Sequence, residues 1–208
     1  MTRIINDRLP EALPQGPYPT GMYHPNTAAA SVRIRLQPRH ERRWTHTQGV
    51  AQTARDLALN LPLDPYDKIL LINAAWFHDV GYAENPITGL TLYGWHPLDG
   101  ASLLSQWGDH RLANLIAWHT TALEESQLNG MHPLLTSLYP HPETSLIADA
   151  LTHADMTTDP DGNPCTYEQR LIEIRSRHGV ESTAVKAMEN AWERLQAINE
   201  RVTTELRP

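Results

Sequence analysis

Residues 65–79 read PYDKILLINAAWFHD, and this stretch decides the fold. Asp64 can cap the start of a helix, and the proline that follows suits a first helical turn because its missing N–H is not needed there. The next residues are apolar on most sides of a helix, so we expect this helix to lie at the centre of the core. It ends at His78 and Asp79, whose polar side chains are costly to bury without a partner. Gly81 supplies a helix end, which would let both neighbours face one point.

Apolar residues recur at helical spacing along most of the remaining chain. We predict further helices over residues 42–61, 98–107, 110–123, 143–156, 166–178 and 182–206. Residues 126–142, with Gly130 and three prolines, are predicted to form a loop and are a candidate lid over the site. Strands do not alternate with helices, and the sequence has neither a glycine-rich phosphate loop nor an internal repeat. The sequence therefore predicts an all-α helical bundle over residues 39–208.

The first 38 residues differ from the rest in composition. They contain six prolines and two glycines, and proline at this density removes backbone donors and breaks helices. We predict an irregular N-terminal arm over residues 1–38, packed on the helical bundle. The one segment of this arm that fits a short strand is SVRIRL, residues 31–36. At 208 residues, the arm and the bundle together make one domain with a sizeable core.

Composition limits the classes of function. The formal net charge is −7, which argues against non-specific nucleic-acid binding. Cys165 is the only cysteine, so an internal disulfide and a thiolate zinc cluster are excluded, and any metal must be held by nitrogen and oxygen atoms. The first residues lack the apolar stretch of a signal peptide, and no apolar run reaches the roughly 18 residues of a membrane span. We expect a cytoplasmic protein without nucleic-acid or membrane partners; its oligomeric state stays open, with a homodimer as one alternative.

A series of histidines and aspartates in or beside the apolar stretches is the strongest functional signal. Its members are His46, His78, Asp79, His96, His119 and Asp155. Four imidazoles and two carboxylates form a suitable ligand set for one or two transition metals. The His-Asp doublet alone is more often a hydrogen-bonded core histidine beside a helix cap, whereas the complete series favours a metal site. Asp149 is a rival to Asp155 for the last ligand.

In this order the residues resemble the HD-domain metal-dependent phosphohydrolase superfamily, an all-helical family named for its His-Asp doublet. The family pattern of a histidine, the doublet and a distant aspartate is matched by His46, His78-Asp79 and Asp155. Members with two metals carry two further histidines between the doublet and the last aspartate, matched here by His96 and His119. The resemblance implies a helical phosphohydrolase that depends on a metal.

Three shorter fragments are similar to the bacterial HD-type diadenosine-tetraphosphate hydrolases. They are HP-x-x-GA from residue 96, I-x-x-HTT from residue 116, and the dipeptide Ala154-Asp155. The resemblance covers about residues 40–160. The Gly-Tyr-Pro signature of the cyclic-di-GMP phosphodiesterases is missing, and of the acidic pair of the (p)ppGpp hydrolases only Glu84 is present. Those two substrates are therefore disfavoured.

The resemblance also implies roles for the ligands. Asp79 would bridge two divalent ions about 3.5–4 Å apart and so be the central catalytic residue. The other ligands divide between the ions: His46, His78 and Asp155 at the first, His96 and His119 at the second. Mixed nitrogen and oxygen ligands suit iron, manganese, cobalt or nickel. If only one metal binds, Glu84 is the candidate catalytic base.

Arginines just before His46 are candidates for substrate contacts. Arg42 and Arg43 lie within one helical turn of that histidine, and the guanidinium fork suits phosphate. A solvated basic face is the competing interpretation.

The predicted function is hydrolysis of a phosphate ester or anhydride of a nucleotide or other small phosphorylated metabolite by a metal-activated water. One alternative is a two-iron oxygenase of the same superfamily that acts on a small polyol or phosphonate. Another is a non-catalytic nucleotide-sensing module, which the complete ligand series disfavours because such a module need not keep every ligand.

Overall fold

The computed structural model describes residues 23–84 and 89–206. Within these two ranges the chain forms α-helices and no β-sheet, which confirms the all-α prediction. The helices are α1 (Pro25–Leu36), α2 (Glu41–Asn60), α3 (Pro65–Phe77), α4 (His96–Gln106), α5 (His110–Ala117), α6 (Ala122–Leu128), α7 (His132–Leu138), α8 (Leu146–Met156), α9 (Tyr167–His178) and α10 (Thr183–Glu205), with a 3-10 turn at Val80–Tyr82 after α3. None of the described helices combines the length and the apolar character needed to cross a membrane.

Helix α3 is the central helix, as its sequence predicts. The Asp64 carboxylate caps it by accepting hydrogen bonds from the backbone N–H groups of Tyr66 and Asp67 at 2.8 and 2.9 Å. Every residue from Ile69 to Phe77 is buried. Helices α1, α2, α5 and α8 pack around it, so its last turn is fixed from several sides.

The N-terminal segment differs from its prediction. Residues 25–36 form helix α1 instead of an irregular arm with a strand at residues 31–36. The reason is the four-residue spacing of Ala28, Val32 and Leu36, which places three fully buried side chains on one face of a helix against α3. Residues 1–22 of the predicted arm lie outside the described residues.

Two other segments also differ from their predictions. The helix predicted over residues 110–123 is broken into α5 and α6, because Thr120 adopts a left-handed backbone with φ of 49°. The loop predicted over residues 126–142 contains helix α7. Pro133 lies in the first turn of this helix, where proline is tolerated, and Leu135 is fully buried.

The C-terminal helices pack beside the end of α8. Helix α10 contacts α6, α8 and α9, and a second apolar cluster joins Met156 of α8 to Leu171 of α9 and Leu195 of α10. This packing places one face of α9 next to Asp155.

The turn after α3 lies unusually close to the first turn of α4. A Cβ atom on Gly81 would lie 2.0 Å from the carbonyl oxygen of His96 and 2.5 Å from the backbone nitrogen of Gly100. Only glycine permits this approach of two backbones. The contact brings the end of α3, with Asp79, next to the start of α4, with His96.

We expect the substitution Gly81→Ala to lower the free energy of unfolding by about 3 kcal/mol or more, because the added methyl group meets rigid backbone on both sides. Gly130→Ala is the control. Its Cβ would meet nothing within 4 Å, and its backbone has φ of 76°, so it should cost only about 1–2 kcal/mol of left-handed strain. Urea unfolding followed by circular dichroism measures both. Equal losses would contradict the backbone contact.

Candidate metal centre

The six predicted ligands converge at the C-terminal end of the central helix. His46 lies in α2, His78 and Asp79 follow α3, His96 begins α4, His119 follows α5, and Asp155 is the next-to-last residue of α8. All are buried except His96, whose side chain keeps 14% of its surface exposed. Five separate segments thus contribute to one cluster.

Asp79 is at the centre of this cluster. Its Oδ2 atom lies 3.2 Å from His78 Nε2 and 4.0 Å from His46 Nε2, and its Oδ1 atom lies 3.6 Å from His96 Nε2. The neighbouring residues of the doublet can face one point because Asp79 has left the helix, with φ of −102° and ψ of 7°. Two groups of donor atoms could each hold a metal ion, His46 with His78 and Asp79, and Asp79 with His96 and His119. Asp79 belongs to both.

Main-chain carbonyl groups orient three of the imidazoles. The Nδ1 atoms lie within hydrogen-bond distance of these oxygens: His46 of Asp159 at 3.0 Å, His78 of Ala75 at 2.8 Å and His119 of Ile116 at 2.6 Å. A carbonyl oxygen only accepts, so each Nδ1 carries a proton, and the Nε2 atom of the neutral ring carries a lone pair. Three Nε2 lone pairs are therefore directed into the cluster.

Two of these lone pairs face further candidate ligand atoms. His46 Nε2 lies 3.0 Å from Asp155 Oδ1, and His119 Nε2 lies 3.4 Å from His96 Nε2. His78 Nε2 is buried and forms no hydrogen bond with any described residue. A divalent cation would satisfy these atoms together, since imidazole nitrogen with carboxylate oxygen is a donor set for divalent transition metals. The residues present therefore fit a metal centre.

The two carboxylates are held in the ionised form. Burial opposes ionisation of Asp79, but Arg43 and His78 outweigh it and keep the pKa of this carboxyl well below its usual range. Burial likewise opposes ionisation of Asp155, but the adjacent His46 and His78 imidazoles and the Arg170 guanidinium keep its pKa well below its usual range. A metal would thus meet two charged ligands.

Burial and the nearby carboxylates affect the histidines of the cluster differently. Burial lowers the pKa of His96 and of His119, so these rings are neutral at pH 7 and able to ligate. Burial acts on His78 as well, but Asp79 and Asp155 outweigh it and raise the pKa of this imidazole.

Comparison with known families agrees with this geometry. The sequence profile of the HD domain matches residues 43–157, more than half of the chain. The chain belongs to the HD-domain family. All six predicted ligands lie inside the matched region, whereas helices α9 and α10 lie outside it. No curated protein and no solved structure gives a significant match.

One residue that the sequence did not single out positions Asp155 in the HD domain. The hydroxyl of Thr120 donates a hydrogen bond of 2.5 Å to Asp155 Oδ2. Its left-handed backbone is strained for a β-branched residue and is held by Arg194, which donates to the Thr120 carbonyl oxygen at 2.8 Å. In the sequence, only the pair of threonines after His119 indicates a role for this residue.

A stack of three side chains forms one wall of the HD-domain cluster. The imidazole of His96 lies parallel to the Tyr82 ring, with centroids 4.2 Å apart, and the Arg43 guanidinium lies 4.0 Å from the same ring. Arg43 also donates to Asp79 Oδ2 at 2.9 Å. At the start of α4, the Asp99 carboxylate accepts three backbone N–H bonds from residues 92–95, which fixes the loop leading to His96.

The HD-domain cluster opens into a cavity of about 90 Å³. Arg43 lines it, and so do Arg170 and Arg177 from α9, which the sequence analysis did not select. Arg170 is 6% exposed, and its NH2 atom lies 3.9 Å from Asp155 Oδ1. These two arginines are seven residues apart in α9, which is two helical turns, so they lie on the same face of the helix.

The remaining candidates do not line this cavity. Arg42 pairs with Asp161 at 3.2 Å and lines a second, neighbouring cavity. Glu84, the candidate base, pairs with Arg39 at 2.9 Å, and it is not among the described residues that line the cavity.

The two aspartates considered for the last ligand, Asp149 and Asp155, have different surroundings. Asp149 forms two hydrogen bonds with Arg201, at 2.8 and 3.1 Å, on the outer side of α8. Asp155, six residues later, is the carboxylate that reaches His46. His153 turns toward the Tyr167 hydroxyl, 3.3 Å away, and stays out of the cluster.

We expect Thr120→Val to lower the metal affinity of the HD domain by about 10-fold or more, because the Asp155 carboxylate loses the donor that orients it. Valine keeps both the branched shape and the backbone strain, so the fold should persist. Thr121→Val is the control, since that hydroxyl donates to Glu125 instead. Competition with a chromogenic chelator measures the affinity. If Thr120→Val binds metal with the affinity of the wild type, Thr120 does not orient Asp155 for metal binding.

Proposed function

We propose that this HD-domain protein is a metal-dependent phosphohydrolase that cleaves a phosphate ester or anhydride of a nucleotide or other small phosphorylated metabolite. The observation that carries the proposal is the pair of donor groups that share Asp79, with three imidazole lone pairs directed between them. Membership of the HD-domain family supports the same class of reaction.

In this proposal the ligands form two sets that share Asp79. The two donor groups, His46 and His78 with Asp79 and His96 and His119 with Asp79, would each hold one divalent ion. Asp155, whose Oδ1 atom lies 3.0 Å from His46 Nε2, would complete the first set. Iron, manganese, cobalt and nickel all suit these atoms. Such ions supply a nucleophilic water at neutral pH and withdraw charge from phosphate oxygens.

The protein's own residues prepare the site for an anion. Two carboxylates do not neutralise two divalent ions, and Arg43 and Arg170 add positive charge at the cavity. A phosphate can therefore bind inside a protein whose overall charge is −7. The His96–Tyr82–Arg43 stack keeps one wall rigid and limits access of bulk water to the histidines.

The size of the cavity favours a compact reacting group. About 90 Å³ admits a phosphoryl group and its immediate neighbour, whereas ligands of drug size occupy roughly 300 Å³ or more. In this proposal the partner is the small phosphorylated substrate. We still predict a cytoplasmic location and no nucleic-acid or membrane partner. The oligomeric state stays open, with a homodimer as one alternative.

Metal content and phosphate release test the proposal. Protein purified without chelator should contain about two transition-metal ions per chain and release phosphate from members of an ester and nucleotide panel. Asp79→Ala should lose metal and activity together, because it removes the carboxylate common to both donor groups. One ion per chain would remove His96 and His119 from the ligand set.

Two aspartates of the same helix provide a matched comparison. Asp155→Asn should lose metal and activity, whereas Asp149→Asn should keep both, since Asp149 faces Arg201. Activity that survives in Asp79→Ala would contradict the metal mechanism. If the protein consumes oxygen with a polyol or phosphonate and releases no phosphate, the two-iron oxygenase is the correct alternative and the hydrolase is wrong.

A further inference from the structure

A second cavity adjoins the metal centre. It has a volume of about 70 Å³, and four of the six residues that line it are arginines: Arg42, Arg43, Arg170 and Arg177, with His46 and Pro160. Among the described residues that line it, none is acidic. A cavity of this size with this lining suits a single oxyanion.

The two cavities share three of the arginines. Arg43, Arg170 and Arg177 line both, so the arginine cavity lies next to the metal cavity. Two of them touch the carboxylates of the cluster: Arg43 NH1 lies 2.9 Å from Asp79 Oδ2, and Arg170 NH2 lies 3.9 Å from Asp155 Oδ1. A ligand in the arginine cavity would therefore be the immediate neighbour of a ligand at the cluster.

The carboxylates around these arginines are already engaged, and Arg42 pairs with Asp161 at 3.2 Å. Arg170 and Arg177 share one partner, Glu173, at 2.8 and 2.9 Å. Asp79 and Asp155 are the partners of Arg43 and Arg170, yet both belong to the proposed ligand set. Burial lowers the pKa of Arg177, and repulsion from Arg170 and Arg43 adds to this effect. Once cations occupy the cluster, the arginines have excess positive charge.

We propose that the arginine cavity binds a second oxyanion of the substrate, next to the phosphate held at the metal centre. The proposal rests on the phosphohydrolase function above and narrows its substrate to a compact molecule with two adjacent anions, a diphosphate or a phosphate ester with a neighbouring carboxylate. Guanidinium groups bind either oxyanion through paired hydrogen bonds. Because Arg170 and Arg177 lie beyond residue 157, this subsite is an addition of α9 to the region that the family profile matches.

Binding of non-hydrolysed ligands to the metal-loaded full chain tests this subsite. Calorimetry with methylenediphosphonate, 2-phosphoglycolate and inorganic phosphate compares two adjacent anions with one. The wild type should prefer a two-anion ligand over phosphate by about 10-fold or more, and Arg177→Gln should abolish that preference. Arg177→Lys should restore part of it, since the charge returns without the fork.

Arg175→Gln is the matched control. Arg175 is on the same helix, two residues earlier, and pairs with Glu189 at the surface, so this variant should bind all three ligands as the wild type does. Metal content, measured separately, should be equal in all variants. The ligand whose preference depends on Arg177 identifies the second anion as phosphate or carboxylate.

The outcomes separate the two proposals. If the wild type shows no preference for two anions, or if Arg177→Gln keeps it, the subsite is wrong even where phosphate esters are hydrolysed. If the preference depends on Arg177 but no phosphate compound is hydrolysed, the subsite stands and the phosphohydrolase function is wrong.

Discussion

The buried carboxylate of Asp79 is the constraint on which the rest of the structure depends. Removing a full negative charge from water costs on the order of several kcal/mol unless cations and donors surround it. Here Arg43 donates to the carboxylate at 2.9 Å from α2, and the His78 imidazole lies 3.2 Å from the same oxygen. The helices around the end of α3 are therefore arranged to match one charge as much as to cover apolar surface.

Helix α3 contributes both to the core and to the candidate metal centre. Its buried apolar residues hold the helix at the centre of the domain, and its end carries the doublet. Any shift of this helix would move Asp79 relative to His46 and His96, which come from different helices. Close backbone contact at Gly81 reduces that freedom, because two rigid segments touch without intervening side chains. Packing of the core therefore fixes the position of Asp79 relative to His46 and His96.

Local signals in the sequence account for what could be predicted. Asp64 and the apolar run after it define α3 through neighbouring residues alone, and the order of the six candidate ligands predicts their clustering through its resemblance to a family. Helix α1 was not predicted because the prolines of this segment suggested irregular structure. A proline in the first turn does not prevent a helix, and the four-residue spacing of the buried side chains stabilises it. The break at Thr120 and the placement of Arg170 depend on tertiary contacts with distant residues, which spacing along the chain does not encode.

The position of α9 outside the matched region has a consequence for how this protein can evolve. The proposed metal ligands lie between residues 46 and 155, whereas two of the four arginines of the second cavity lie on a helix that follows. Substitutions on the cavity-facing side of α9 can then alter which molecules are accepted while the reactive centre is inherited unchanged. Under the two proposals, related chains that share the cluster are expected to differ most in this helix.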